Sequence, residues 1–301
     1  MVQGSILGPI LWLIFFSAVS HAIKSAVPES ENYVFADDLT LKVNNDDEHK
    51  RAEGAAVRWC RLNRVTMDDA KNHVIHFQNN RQLPSGVERA PETKERNLGI
   101  IFDSNLTMEK HISVVIAKGH RVITFLQRLR RYSPKDAVMA QLFRTYGYSH
   151  FEYALVAYIH ATDAQLDRLD AVQRRFQGLF PNVTLPSLAR RRYEAAMMFM
   201  YKHVVLELGT PCVRARLPPL DESTPRSTRA AALRHRFTLS VPTSRKDYAI
   251  KIRFDRAFYR AWNALPDNAF EKGVAHFKAA LIASPDPRAT AEQPAARSRA
   301  R

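Results

Sequence analysis

Hydrophobic positions change period along this chain, and the change divides it. From Pro9 to Val19 the run PILWLIFFSAV is apolar on every side, which predicts a helix buried all round. Gly4, Gly8 and Pro9 make the loop that leads into it. The stretch 32-NYVFADDLTLKV-43 reads instead as two short strands, with Leu39, Leu41 and Val43 on one face and Thr40 and Lys42 opposite. Asn45 and Asp46 fit an N-cap and first turn. An amphipathic helix over 46–64 comes next, with Ala52, Ala56, Trp59 and either Leu62 or Asn63 inward. His73–Phe77 is a short strand candidate, 78–96 is polar and turn-rich, and Leu98–Phe102 is a further strand.

From Leu106 the spacing is helical. Ile112, Val115, Ile116, Val122, Leu126 and Leu129 keep it, then Val138 and Leu142, then Leu166, Leu169, Gln173 and Phe176. Pro134 suits the first turn of a helix over 134–148, and a helix over 186–208 should stop at Gly209. Residues 106–209 therefore read as all-helical. The Pro-rich stretch 211–229 reads as a linker within 210–231. A small mixed segment over 232–283 comes next, and the Pro/Ala/Arg-rich tail 284–301 reads as disordered. The fold class expected from this order is α+β.

Composition adds one asymmetry. The 301 residues are 46% hydrophobic and 25% charged, with net charge +15. Residues 1–50 hold three Lys/Arg against seven Asp/Glu, whereas 51–301 hold 42 against 23. A basic body of this kind suits a phosphate-backbone partner, although a merely soluble basic protein has the same composition. Cys60 and Cys212 build neither a disulfide framework nor a zinc spacing, so a reducing compartment is the default. The apolar run 9–19 is shorter than the roughly 20 residues a bilayer needs, and no Lys or Arg precedes it. A membrane partner is accordingly not expected.

The candidate chemistry lies at Asp37–Asp38. A two-residue hairpin normally wants glycine where φ must be positive, and none is present. Two carboxylates about 4 Å apart repel by about 4 kcal/mol at an effective dielectric of 20. A cation between them removes that cost, and oxygen-only ligands on a turn suit Mg²⁺. Taken alone, Asp-Asp is a weak motif, and two solvated turn residues are the better reading of it.

The order of neighbouring stretches narrows this. The run 3-QGSILGP-9 with its apolar helix, then 35-FADD-38, 71-KNHVIHF-77 and 98-LGIIFDSNLTMEKHI-112 resembles four successive conserved blocks of one family. That family is the reverse transcriptases of non-long-terminal-repeat retrotransposons, the jockey-like group in particular. The stretches 167-DRLDAVQRRF-176, 258-FYRAWNALPDNAF-270 and 277-FKAAL-281 resemble the family's segment after the thumb. The resemblance implies a partial palm over 1–105 and a helical thumb with its extension over 106–209. It implies two Mg²⁺ ions, with Mn²⁺ as a substitute, held by Asp37 and Asp38. Lys71 would sit by the nucleotide phosphates. Gln3, Gly4 and Ser5 would lie beside nucleotide and template, with Phe35 packed under the site. Leu98 and Gly99 would grip the primer end, and arginines such as Arg121, Arg128, Arg130 and Arg131 would face the duplex. The partners implied are an RNA template, a DNA primer and deoxynucleoside triphosphates, with action in the nucleus.

The family has an earlier block with another catalytic aspartate. Asp46, Asp47, Asp68 and Asp69 lie downstream and do not take its place, and Val2 stands where the family has proline. The expectation is a C-terminal fragment of such an enzyme, marginally stable and catalytically inactive by itself. The alternative is a non-catalytic, basic nucleic-acid-binding remnant.

Overall fold

The computed structural model describes residues 5–77, 94–132, 135–158, 161–209, 211–222, 234–241 and 256–284. The chain divides into two compact units at Val74 and Ile75.

The first unit opens with α1, Gly8–Ala26, with Pro9 in its first turn. The helix runs well past Val19. At this length it is, by length and composition, the one helix among the described residues able to cross a membrane. The core helix of a soluble protein passes the same test. Phe16, Val19 and Ile23 are its buried residues, while Leu7, Ile10, Leu11, Leu13 and Ile14 are exposed. It is therefore buried on one stripe only, not all round. The strands β1, Glu31–Phe35, and β2, Asp38–Lys42, form an antiparallel hairpin. Val34 pairs with Leu39 and Asn32 with Leu41, and Val34, Leu39, Leu41 and Val43 pack against the α1 cluster. α2, Asp46–Leu62, starts where Asn45 Oδ1 accepts from Glu48 N, and buries Ala52, Ala56 and Cys60. Trp59 packs beside them, but Leu62 is exposed. The expected strand at 73–77 is not formed: those residues carry no regular secondary structure.

The second unit begins with β3, Lys94–Asn97, and β4, Ile100–Asp103, another antiparallel hairpin. Leu98 thus lies in a turn, not in a strand. Ile100 and Phe102 pack on the helical core, so this hairpin goes with the helices rather than with the residues up to 74. Next is α3, Glu109–Leu129. Then come α4, Asp136–Leu142, a wider π turn over Phe143–Gly147, and α5, Tyr148–Glu152. The expected helix over 134–148 is therefore interrupted, and Pro134 lies outside the described residues. After α6, Leu155–Tyr158, α7 runs from Asp163 to Leu179. α8, Leu188–Met200, passes into a second π turn over Tyr201–Val205, and Gly209 lies beyond it at φ 101°. The expected linker holds a short helix, α9, Pro211–Ala215. α10, Arg256–Asn263, and α11, Gly273–Ala283, complete the unit, and residues 285–301 lie outside the described residues.

One core joins these elements. Phe143 stacks on Phe176 at 4.0 Å between ring centroids, and Tyr201 meets Phe277 at 4.3 Å. Phe258, Tyr259, Trp262, Phe270 and Phe277 are buried in the same cluster as α3, α7 and α8. Residues 256–284 therefore belong to the helical core and are not a separate small region. Several of its buried polar groups are paired. Gln173 donates to Pro186 O and accepts from Leu188 N. Tyr148 OH also donates to Pro186 O at 2.6 Å, and burial pushes its pKa up to about 12, so it stays a donor. Arg192 and Asp170 pair through two bonds of 2.7 and 2.8 Å.

Candidate functional site

The β1–β2 turn is where the first unit places its acidic pair. Phe35 and Asp38 form the last strand pair, so Ala36 and Asp37 are the two turn residues. The missing glycine is not avoided at no cost: Ala36 takes φ 53°, in the left-handed region. A non-glycine residue there is uncommon and costs about 1–3 kcal/mol. What holds it is Trp12 of α1, whose indole Nε1–H donates to Ala36 O at 2.9 Å. The indole is itself stacked on Phe16, at 5.2 Å and 15°. The ring packing of α1 therefore fixes the turn that carries Asp37 and Asp38.

Both carboxylates are exposed. Their chemistry suits a hard cation in kind, since both supply oxygen only. They are too few to enclose one unaided: among the described residues no group of three His, Cys, Asp or Glu side chains gathers where a metal would sit. An ion there would need oxygens from water or substrate phosphates.

The other expected residues are spread over both units. Gln3 and Gly4 lie outside the described residues. Ser5 is exposed, and its Oγ accepts from Gly8 N at 2.9 Å, closing the turn ahead of α1. Phe35 does not pack under the site. It is 66% exposed, because strand alternation puts Val34 inward and its neighbours outward. Lys71 ends a short 3₁₀ turn over Asp69–Lys71 and pairs with Asp68 at 3.3 Å, largely in solvent. Leu98 and Gly99 lie in the second unit, in the β3–β4 turn, at φ 47° and 83°. Of the four arginines, Arg121, Arg128 and Arg131 are exposed on or just after α3. Arg130, also exposed, donates to Leu179 O at 2.8 Å and lies over the Phe180 ring.

Trp12 and Tyr153, which brace the two hairpin turns, were not among the expected site residues. Each has an aromatic donor aimed at the carbonyl of a left-handed residue: Trp12 to Ala36, and Tyr153 OH to Leu98 O at 2.6 Å. A turn sequence without glycine at a left-handed position is the only signal that pointed toward them.

The comparisons with known proteins bear on both units. Residues 1–102 match the family model described as reverse transcriptase (RNA-dependent DNA polymerase). The chain is also 25% identical, over 191 residues, to the probable RNA-directed DNA polymerase from transposon X-element of Drosophila melanogaster. That match covers 58% of this chain, so it runs past residue 102, and the chain spans about one fifth (20%) of the length of that relative. No solved structure matches. The two findings support a reverse-transcriptase lineage for residues 1–102 and a likeness to a transposon-encoded polymerase that extends beyond them.

Proposed function

We propose that this chain is part of the RNA-directed DNA polymerase of a jockey-like, non-long-terminal-repeat retrotransposon. In this reading residues 1–105 are partial palm and the helices of 106–209 are thumb and extension. The observation that carries it is the turn that holds Asp37 and Asp38, strained at Ala36 and bolted to Trp12, within a segment that matches the reverse transcriptase family.

In such an enzyme Asp37 and Asp38 would hold Mg²⁺, or Mn²⁺ in its place. The metal, when bound, supplies charge neutralisation at the transferred phosphoryl group and at the attacking 3′-hydroxyl. The chain's own part is positional. The Trp12 anchor keeps the two carboxylates on a fixed turn. Lys71, 84% exposed, is free to exchange Asp68 for a nucleotide phosphate. Ser5 and the residues before it would lie against nucleotide and template, Phe35 would offer an apolar face beside the turn, and Leu98 and Gly99 would meet the primer. The substrates are an RNA template, a DNA primer and deoxynucleoside triphosphates, and the work belongs in the nucleus.

The 301-residue polypeptide by itself is read as a binder without activity. The exposed basic side chains of the helical unit favour this second reading. The exposed Arg121, Arg128, Arg131, Arg174 and Arg175 supply backbone contacts whatever happens at Asp37. Primer extension on poly(rA)/oligo(dT) with Mg²⁺ or Mn²⁺ tests both readings. The expected result is no extension, with salt-dependent duplex binding that Asp37→Asn leaves unchanged. Extension abolished by Asp37→Ala would overturn the inactivity, and a chain that binds neither duplex nor single strand would overturn the lineage reading as a statement about function.

A further inference from the structure

The side of α3 that faces away from the core is not an ordinary solvated face. Ile112, Val115, Gly119, Val122, Ile123 and Leu126 are buried along one side of the helix. At about 100° per residue, Lys110, Val114, Ala117, Arg121, Phe125 and Arg128 fall in one line on the opposite side. All six are exposed. Tyr132 continues the line in the turn just past the helix end. Phe125 is 51% exposed and Tyr132 84%. No Asp or Glu occurs from Lys110 to Tyr132. A solvated face usually mixes the two signs of charge and carries few aromatic rings.

The line is held rigid from behind. Gly119 lets α3 approach the Phe151 ring of α5 closely. Arg130 ties the C-terminal end of α3 to the end of α7, through Leu179 O and the Phe180 ring. On the flank toward α7, Arg175 Nη1 lies 3.3 Å from His120 Nδ1, so one more cation stands beside the line.

Arginines at this spacing suit the phosphates of any polynucleotide, and the two rings decide which kind. In a duplex the base faces are stacked on one another, so an outside ring meets only sugar and phosphate. An unpaired strand offers phosphates and open base faces together. Phe125 and Tyr132 are seven residues apart, about 10 Å along the helix axis, and Arg128 stands between them. Two bases on the rings would leave a linking phosphate near Arg128. A partner helix fits worse, because the same line would put Lys110, Arg121 and Arg128 into its seam.

We propose that this face of α3 binds an unpaired polynucleotide strand, with phosphates at Arg121 and Arg128 and bases stacked on Phe125 and Tyr132. The proposal rests on the reverse-transcriptase reading for its class of partner, and differs in giving α3 a single strand rather than the duplex. The test is fluorescence anisotropy with the full chain at several salt concentrations. The probes are oligo(U), oligo(dT), an abasic strand of the same length and a blunt duplex. Oligo(U) and oligo(dT) should bind alike, and the abasic strand at least tenfold more weakly. Phe125→Leu and Tyr132→Leu should each weaken the two single strands by about tenfold, the value of one stacked base. Duplex affinity and melting temperature should stay unchanged, and Phe125→Trp should keep wild-type binding. Arg121→Gln with Arg128→Gln should lower the single-strand slope of log affinity against log salt by about 1.4, for two lost phosphate contacts. If the abasic strand binds as well as oligo(U), or the leucine variants leave single-strand binding intact, the proposal falls and the lineage reading stands. Poly-glutamate displacing oligo(U) at equal charge would likewise overturn it, in favour of an acidic peptide. If the wild type binds no nucleic acid, both readings fall.

Discussion

Ala36 and Gly119 make opposite demands on a side chain. Ala36 sits at φ 53° and gains nothing from its methyl group, whereas glycine reaches that region freely. Ala36→Gly should therefore stabilise the first unit by about 0.5–1 kcal/mol, read from the denaturation midpoint. Gly119 on α3 is the reverse case. A Cβ there would stand 2.6 Å from the Phe151 ring and 2.9 Å from Val172 Cγ1, both in the packed core. Gly119→Ala should cost about 1–3 kcal/mol by overpacking, seen as a lower melting temperature. Neither residue stood out in the sequence. Asp37 and Asp38 did, as two like charges at a turn without glycine, whereas Leu98 and Gly99 came only from the resemblance to the family's conserved blocks. Trp12 and Tyr153 did not, because their importance lies in carbonyls 24 and 55 residues away. Phe35 was misplaced for a local reason: strand alternation, applied from Leu39 back across the turn, puts it outward.

Asp103 shows how one side chain starts an element. It ends β4 almost fully buried, and its carboxylate accepts from Asn105 N, Thr107 N, Thr107 Oγ1 and Met108 N. Leu106 and Met108 are both left-handed in this tight passage, and α3 begins one residue later. Asp103→Ala would leave three backbone donors without that acceptor, and should cost about 2–3 kcal/mol in thermal unfolding. A second element-level device is His235. It is buried, its Nε2 bonds Trp262 O at 3.0 Å, and its Nδ1 accepts from Phe237 N at 3.2 Å. Only the neutral ring does both, and burial holds its pKa below 6.5 despite the opposing pull of Trp262 O and Asp267. The unfolded chain then binds the proton more readily than the folded one. Stability is therefore full above about pH 6.5 and declines as pH falls below it. Melting curves between pH 7.5 and 5 should show this decline, and His235→Gln should reduce it, leaving the part due to His111 and His150, which burial also holds below 6.5. The strands and helices themselves were legible where the period was long: β1–β2, α2, α3 and α7 fall where the spacing put them. The π turns and the docking of 256–284 were not, since both depend on which aromatic rings meet in the core.

The two compact units carry cores of very different size, and this gives a prediction about how the chain unfolds. The first has Phe16, Val19, Ile23, Val27, Ala52 and Ala56 as its buried cluster, beside a helix whose leading apolar residues are in solvent. The second joins α3, α7, α8, α10 and α11 through stacked aromatic rings. Cooperative stability grows with the apolar surface buried, so the first unit should unfold at lower denaturant than the second. The three tryptophans separate the signals, since Trp12 and Trp59 lie in the first unit and Trp262 in the second. A Trp12→Phe, Trp59→Phe chain reports the second unit alone, and its fluorescence should change in one late transition. The wild-type signal should show an earlier one as well. Ile23→Ala, at a fully buried position, should cost about 2–5 kcal/mol, enough to remove the early transition while the Trp262 signal stays in place. Phe176→Ala should cost about 3–5 kcal/mol in the later transition alone. If all three tryptophans moved together, and either substitution shifted the whole curve, the small cluster around α1 would be part of one cooperative fold, and the turn that carries Asp37 and Asp38 would draw its rigidity from all of it rather than from α1.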